Sequence, residues 1–353
     1  MRNPTVSRAF IALIGASLLA CQVAFNLGNG RQLVLSPEGA QLDGAGAPGV
    51  GDSGVEGIPA ILTAIPEAIE GEERGLVPSA TPQRDTELNY STLDREDEVD
   101  GYQVHFIYML PEDGEDAFLD VSGEIALSAQ AMNEWLAGQT EGSRLRYDTY
   151  QGDLDVSFLL LDHSSEEISA LGTEILGLIE YELKTRGFNA GNKLCVVYYD
   201  GFFVSHSGYC GISSHPPDGL GVTAALLLRG YSPEQDAVCP RQFTKSIDYV
   251  GYFETTILHE LLHLLGMVPE CAPHGDGGHV SDSPQDLMYF QYDGSYSPLY
   301  TYLDYRNDDY FDHGDPNCAD LARSAFLEPL PHDAELPPRW EDSNRYLPEN
   351  PIQ

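Results

Sequence analysis

The chain reads as an α/β (α+β) domain, a mixed sheet with packed helices, and three observations predict it. Stretches with strand alternation and stretches with helical spacing take turns between Tyr102 and Asp200. A hydrophobic fraction of 42% over 353 residues is enough for a sizeable core, which excludes global disorder. The part before this alternation is Gly-, Pro- and Ala-rich and has no sustained period, so it reads as a tether rather than a second domain.

Taken in order, "YQVHFIYML" alternates as a strand does, and "SGEIALSAQAMNEWLAG" has apolar residues at helical spacing. "LDVSFLLLD" is a second strand. "SEEISALGTEILGLIEYELKTRGF" opens with a capping serine and early glutamates and reads as one helix. "KLCVVYYDG" is a third strand, closed by Asp-Gly. No internal repeat occurs. The expected organisation is a signal segment over 1–21, a disordered linker over 22–96, a domain from about Asp97 to Pro331 and an extended proline-rich tail over 332–353. A flexible linker of that length reaches on the order of 50 Å.

The N-terminus has an export pattern. Arg2 and Arg8 precede the apolar run "AFIALIGASLLA", which is too short to be a permanent membrane span. Leu18-Leu19-Ala20-Cys21 resembles the lipobox of bacterial lipoproteins, which implies lipidation of Cys21 and a membrane anchor; an ordinary cleaved signal is the alternative. In an exported chain the remaining five cysteines should oxidise. Cys195 lies in a buried-strand pattern and is expected to be free, leaving Cys210 with Cys239 and Cys271 with Cys318 as the nearest pairs. No CxxC is present, which argues against a cysteine-held zinc.

Charge excludes further classes. With 18 basic and 56 acidic residues the net is −38, and such a surface repels nucleic acid and anionic lipid headgroups. The excess is spread along the chain, as expected for salty surroundings that screen self-repulsion. Nothing in the pattern indicates an oligomer, and a monomer is the default.

The chemistry concentrates in "HELLHLLGMVPECAPHGDGGH", from His259 to His279, which holds four of the ten histidines. "YFETTILHELLHLLG" reads as a helix with an apolar stripe of Phe253, Ile257, Leu261, Leu264 and Leu265, stopped by Gly266. Residues four apart on a helix lie one above the other, so His259 and His263 can reach one ion, with Glu260 next to the first ligand. This is the HExxH zinc signature, two ligands and a general base. The plain reading, a chance match, has odds of roughly a few per cent in a chain of this length.

These residues resemble the metzincin metallopeptidases, whose pattern is HExxHxxGxxH. The match covers His259, Glu260, His263 and Gly266 and fails at Pro269, where the third ligand would stand. The resemblance implies a zincin-like catalytic domain, bound Zn2+, and a third ligand further along the chain. Glu270, His274, Asp276 and His279 are the candidates. His279 is favoured because it follows Gly277 and Gly278, with His274 the main alternative; Asp282 would accept a bond from a ligand's free N–H. Met288 in "DLMYF" is similar to the methionine turn beneath the zinc of that family, although methionine is also an ordinary core filler. Tyr289 or Tyr292 would then be the oxyanion donor. The resemblance spans only residues 252 to 290.

Other constellations are weaker. Asp304, Asp308, Asp309, Asp312 and Asp315 form a candidate Ca2+ site without EF-hand spacing, for which an exposed acidic loop is the plainer reading. His313 reads as a solvated loop residue. Ser205, His206, Cys210 and His215 suggest a Cys/His hydrolase, but a disulfide accounts for Cys210 more simply. There is no GxSxG and no phosphate-binding glycine loop. The expectation is therefore an exported zinc metalloendopeptidase with a peptide or protein substrate and Glu260 as general base. The alternative is a non-catalytic cell-envelope lipoprotein with a structural zinc.

Overall fold

The computed structural model describes residues 24–26, 32–36, 39–43 and 90–352, apart from 189–190, 203–209, 214–222, 229–242, 290–296 and 346–348. Its centre is a five-stranded mixed sheet built from β1 (Gln103–Leu110), β2 (Val156–Leu160), β3 (Lys193–Tyr199), β4 (Gly211–Ser213) and β5 (Thr223–Leu227). The order across the sheet is β4-β5-β3-β1-β2. Neighbours are parallel except β4, which runs antiparallel to β5 at the edge.

Helices cover both faces, and the strand residues divide between them as a period of two requires. Phe106, Tyr108, Val196 and Tyr198 point to the face packed by α1 (Glu124–Gln139) and α4 (Tyr252–Leu264). Ile107, Met109, Val197 and Tyr199 point to the opposite face, packed by α3 (Ile175–Thr185) and the short α2 (Ser165–Ser169). This is the mixed-sheet α/β fold that the sequence predicts. Among the described residues no helix is long and apolar enough to cross a membrane.

Four details depart from the sequence reading. The single helix expected from Ser165 to Phe188 is broken: Gly172 takes a φ of +56° and opens a 3-10 turn before α3 begins. The capping serine is Ser164, whose hydroxyl accepts from the Glu167 N–H, while the Glu167 carboxylate accepts from Ser164. The segment read as featureless contains a three-stranded antiparallel meander, Ala24–Asn26, Gln32–Ser36 and Gly39–Asp43. Beyond residue 331, expected to be extended, the chain forms a short helix, Trp340–Arg345, and the Trp340 ring packs against Tyr102 and Phe326.

At the start of β3 the fold buries an ion cluster. Lys193 Nζ lies 2.5 Å from Asp94 and Asp148 and 2.6 Å from Asp97. His105 on β1 meets Asp148 at 2.7 Å through Nδ1 and Ser157 at 3.1 Å through Nε2. Burial alone pulls the Lys193 ammonium down, but the three carboxylates outweigh it and hold it above its usual range. With Arg95 bonded to Asp155, these contacts fasten residues 94–96, placed in the linker by sequence, onto the domain. Lys193→Met should therefore strand the fully buried Asp148 and cost about 3–5 kcal/mol of stability. Denaturant unfolding at matched salt measures this, and a loss below about 1 kcal/mol would contradict the role given to Lys193.

Candidate metal centre

Helix α4 is set by its ends. Glu254 in its first turn is fully buried and reaches back to the Gly251 N–H at 2.8 Å, while also accepting from Ser128 on α1 at 2.7 Å. At the other end Gly266, at φ +76°, donates to the His263 carbonyl and Met267 donates to the Leu262 carbonyl, both at 2.9 Å. That pair of bonds is a Schellman stop, and it needs a left-handed residue that glycine supplies without strain. Between the ends, Phe253, Ile257 and Leu261 pack into the core, and His259 and His263 share a neighbouring stripe.

After the stop the chain turns through Val268, also at positive φ, and is pinned by the Cys271–Cys318 disulfide. A two-residue hairpin follows, β6 (Gly275–Asp276) against β7 (His279–Val280). Its turn residues, Gly277 and Gly278, have φ of +58° and +86°, the positive values that a type I′ turn demands at both positions. The glycines thus make the turn that delivers His279. Pro269 falls short of the site because this hairpin supplies the third side chain instead.

His259, His263 and His279 converge with all three residues buried, and their ligating nitrogens lie within 4.8 Å of one another. Nε2 of His263 is 3.1 Å from Nε2 of His259. The Nδ1–H of His259 donates to the Leu287 carbonyl at 2.8 Å, which leaves the Nε2 lone pair facing the cluster. Burial pushes this imidazole down to about 4, so it is neutral at physiological pH. Ligands about 2.1 Å from one zinc sit roughly 3.0–3.5 Å apart, and three imidazole nitrogens are a donor set that suits zinc. The residues fit the ion.

Glu260 is buried beside this cluster. Ser213 Oγ on β4 donates to its Oε2 at 2.5 Å, and burial pushes the carboxyl up to about 7. Gly211, two residues earlier on the same strand, leaves the space that Glu260 fills. A Cβ there would lie 2.7 Å from Glu260 Cγ and 2.8 Å from Oε1 and from Thr256 Cγ2. Neither Ser213 nor Gly211 was legible from sequence, because a three-residue strand shows no period to read.

Met288 is fully buried within a tight turn, in which the Tyr289 N–H meets the Asp286 carbonyl at 3.2 Å. The Met288 carbonyl accepts from the Val280 N–H at 2.9 Å, tying this turn to the hairpin. Tyr289 is half-buried and packs against the core, and Tyr292 lies outside the described residues. Glu270 and Asp276 are exposed. Asp282 is a correction: its carboxylate accepts no bond from a ligand histidine and groups with His274, Asp308 and Asp309. Asp304 instead accepts three backbone N–H groups, from Asp309, Tyr310 and Phe311. Asp312 and Asp315 are exposed, and His313 bonds the Ala319 carbonyl within its own loop, so the five acids do not form one site.

Cys195 is free and buried on β3. Cys210 is disulfide-bonded, while Cys239, its expected partner, lies outside the described residues, as do Cys21, Ser205, His206 and His215.

His279→Ala should weaken zinc binding by more than about 100-fold, since loss of a mere outer partner costs about 10–100-fold. Competition against a chromophoric chelator reads this directly; an unchanged affinity would remove His279 from the metal centre.

No family model matches the chain, and no curated protein matches it. Solved structures show a likeness, two of them as follows. One is archaemetzincin from Methanopyrus kandleri, with 15% identity and a TM-score of 0.29, covering 56% of this chain and 89% of that one. The other is metalloproteinase-II from Bacteroides fragilis, with 16% identity and a TM-score of 0.28, covering 62% of this chain and 56% of that one.

Proposed function

We propose that the chain is a zinc metallopeptidase, exported and held at the membrane by a lipid on Cys21, that hydrolyses peptide bonds in proteins or peptides. The observation that carries the reading is Glu260, a buried carboxylate adjoining three buried imidazoles and clamped by Ser213. A purely structural metal site has no use for a base at that position.

The chain's own groups supply the rest of the chemistry. His259, His263 and His279 would hold the zinc, with the Leu287 carbonyl fixing the tautomer of His259. Zinc bound there would act as a Lewis acid on the peptide carbonyl and lower the pKa of water toward about 7. Glu260 takes the proton from the attacking water and returns it to the departing amine. Ser213 holds one carboxylate oxygen, Oε2, so Oε1 is the one that would accept the proton. The walls around Glu260 exclude bulk water, which strengthens each of these interactions.

Glu260→Gln keeps size and hydrogen-bonding shape but cannot accept the proton. Zinc content should be unchanged, and turnover of an unstructured protein substrate should fall by about 10²–10⁴. Gly211→Ala tests the same base from a distance: a shift of Glu260 by an ångström should cost about 100-fold in activity with zinc retained. Assays belong at both low and high salt, because the −38 charge destabilises the chain when screening is weak. A fully zinc-loaded wild type that cleaves nothing under either condition would favour the structural-zinc lipoprotein. Anchoring has its own readout: Cys21→Ser should release the protein from membranes, and a variant that still sediments with them would rule out the lipid.

A further inference from the structure

A second group of ligating side chains converges where the hairpin that carries His279 meets residues 308–309. His274 sits at the foot of the hairpin on one side and Asp282 on the other, and their partners are Asp308 and Asp309. One ligating atom from each of the four lies within 4.8 Å of those from the other three. We propose that His274, Asp282, Asp308 and Asp309 form a second divalent-cation site, separate from the three-imidazole centre, that takes a borderline transition metal such as zinc or manganese.

The geometry is that of ligands arranged around one ion. Atoms about 2.1 Å from a common metal lie roughly 3 Å apart when adjacent and about 4.2 Å apart when opposite. His274 Nδ1 is 3.1 Å from Asp309 Oδ2 and 4.0 Å from Asp308 Oδ1. The His274 backbone N–H holds the other Asp309 oxygen at 2.7 Å, which fixes that fully buried carboxylate in place.

A second observation separates this group from an ordinary acidic loop. Both carboxylate oxygens of Asp282, and Oδ1 of Asp308, are shut off from solvent and accept no hydrogen bond from another residue. A buried carboxylate normally accepts hydrogen bonds or meets a cation. Here three carboxylates face one another, and among the described residues no lysine or arginine pairs with any of them. Among the described residues, the basic group that meets them is the His274 imidazole, 3.1 Å from Asp309 and 4.0 Å from Asp308. The ligand types choose the metal: calcium prefers an all-oxygen shell, whereas one imidazole with carboxylates suits zinc or manganese. His274 and Asp282 bracket β6 and β7, so an ion there would brace the hairpin that presents His279.

The test counts metal in the purified full chain. After chelator treatment the protein is loaded with excess zinc or, separately, manganese, desalted and analysed by elemental mass spectrometry. Wild type should retain two equivalents of zinc. His279→Ala should retain one, and so should Asp282→Asn/Asp308→Asn, each having lost a different ion. Asp308→Asn alone, at a partly exposed position, stands in if the double variant misfolds by circular dichroism. One equivalent in wild type that disappears in His279→Ala would overturn the proposal and leave His274 as a protonated counter-ion. Two equivalents retained by every correctly folded acid variant would overturn it as well. If the three-imidazole reading fails instead, wild type holds one equivalent that survives His279→Ala and is lost from the acid variants.

Discussion

The hydrogen bond from His259 Nδ1 to the Leu287 carbonyl is the constraint on which the rest of the site depends. It makes Nε2 the nitrogen of His259 that carries the lone pair, and without that lone pair the helix would present an N–H to its neighbour. The carbonyl is held in turn. Asp286, fully buried, accepts from the Met288 N–H at 2.7 Å, the Tyr305 N–H at 2.7 Å and the Tyr310 hydroxyl at 2.8 Å. Burial pushes the Asp286 carboxyl up to about 8 even against these donors, so the turn bears a real desolvation cost in order to stay closed. Because the Met288 carbonyl also bonds Val280, one turn fixes both the helix and the hairpin that bring the three imidazoles together.

The same economy of cations governs the rest of the chain. With 18 basic residues against 56 acidic ones, a cation is scarce, and Lys193 is placed where burial makes it most valuable. On a surface, an ion pair contributes about 0–1 kcal/mol and would be screened by salt. Inside, beside Asp148 and His105, Lys193 joins Asp94 and Asp97 of the N-terminal approach to the domain. Acidity elsewhere is tolerated by leaving it exposed, as at Asp312 and Asp315.

How much of this was legible follows from the range of each signal. Helix α4 could be read because its stripe, ligands and glycine stop lie within fifteen consecutive residues, and His279 because two glycines precede it. The parallel strands were readable as buried apolar runs, but their order was not, since pairing is a long-range property. The break at Gly172 lost out to a helical pattern that continues on both sides of it. Trp340 packs against Tyr102 from more than two hundred residues away, and no local composition reports such a contact. The grouping of His274 and Asp282 with Asp308 and Asp309 was hidden for the same reason, with the Cys271–Cys318 disulfide helping to bring the two segments together.

On the proposed reading, Gly211 and Ser213 separate a site that merely holds an ion from one that also holds a base. Along a strand, residues two apart face the same side, so the missing Cβ of Gly211 and the hydroxyl of Ser213 act on one surface of α4. The first leaves room for the Glu260 side chain, and the second fixes its Oε2. A helix that needed only two zinc ligands would pack against an alanine or valine here and gain apolar burial. Instead the fold gives up that packing and buries a carboxylate whose main compensation in the structure is one serine hydroxyl. Such a cost is characteristic of groups kept for chemistry rather than for stability, and it falls on the residue adjoining the three imidazoles.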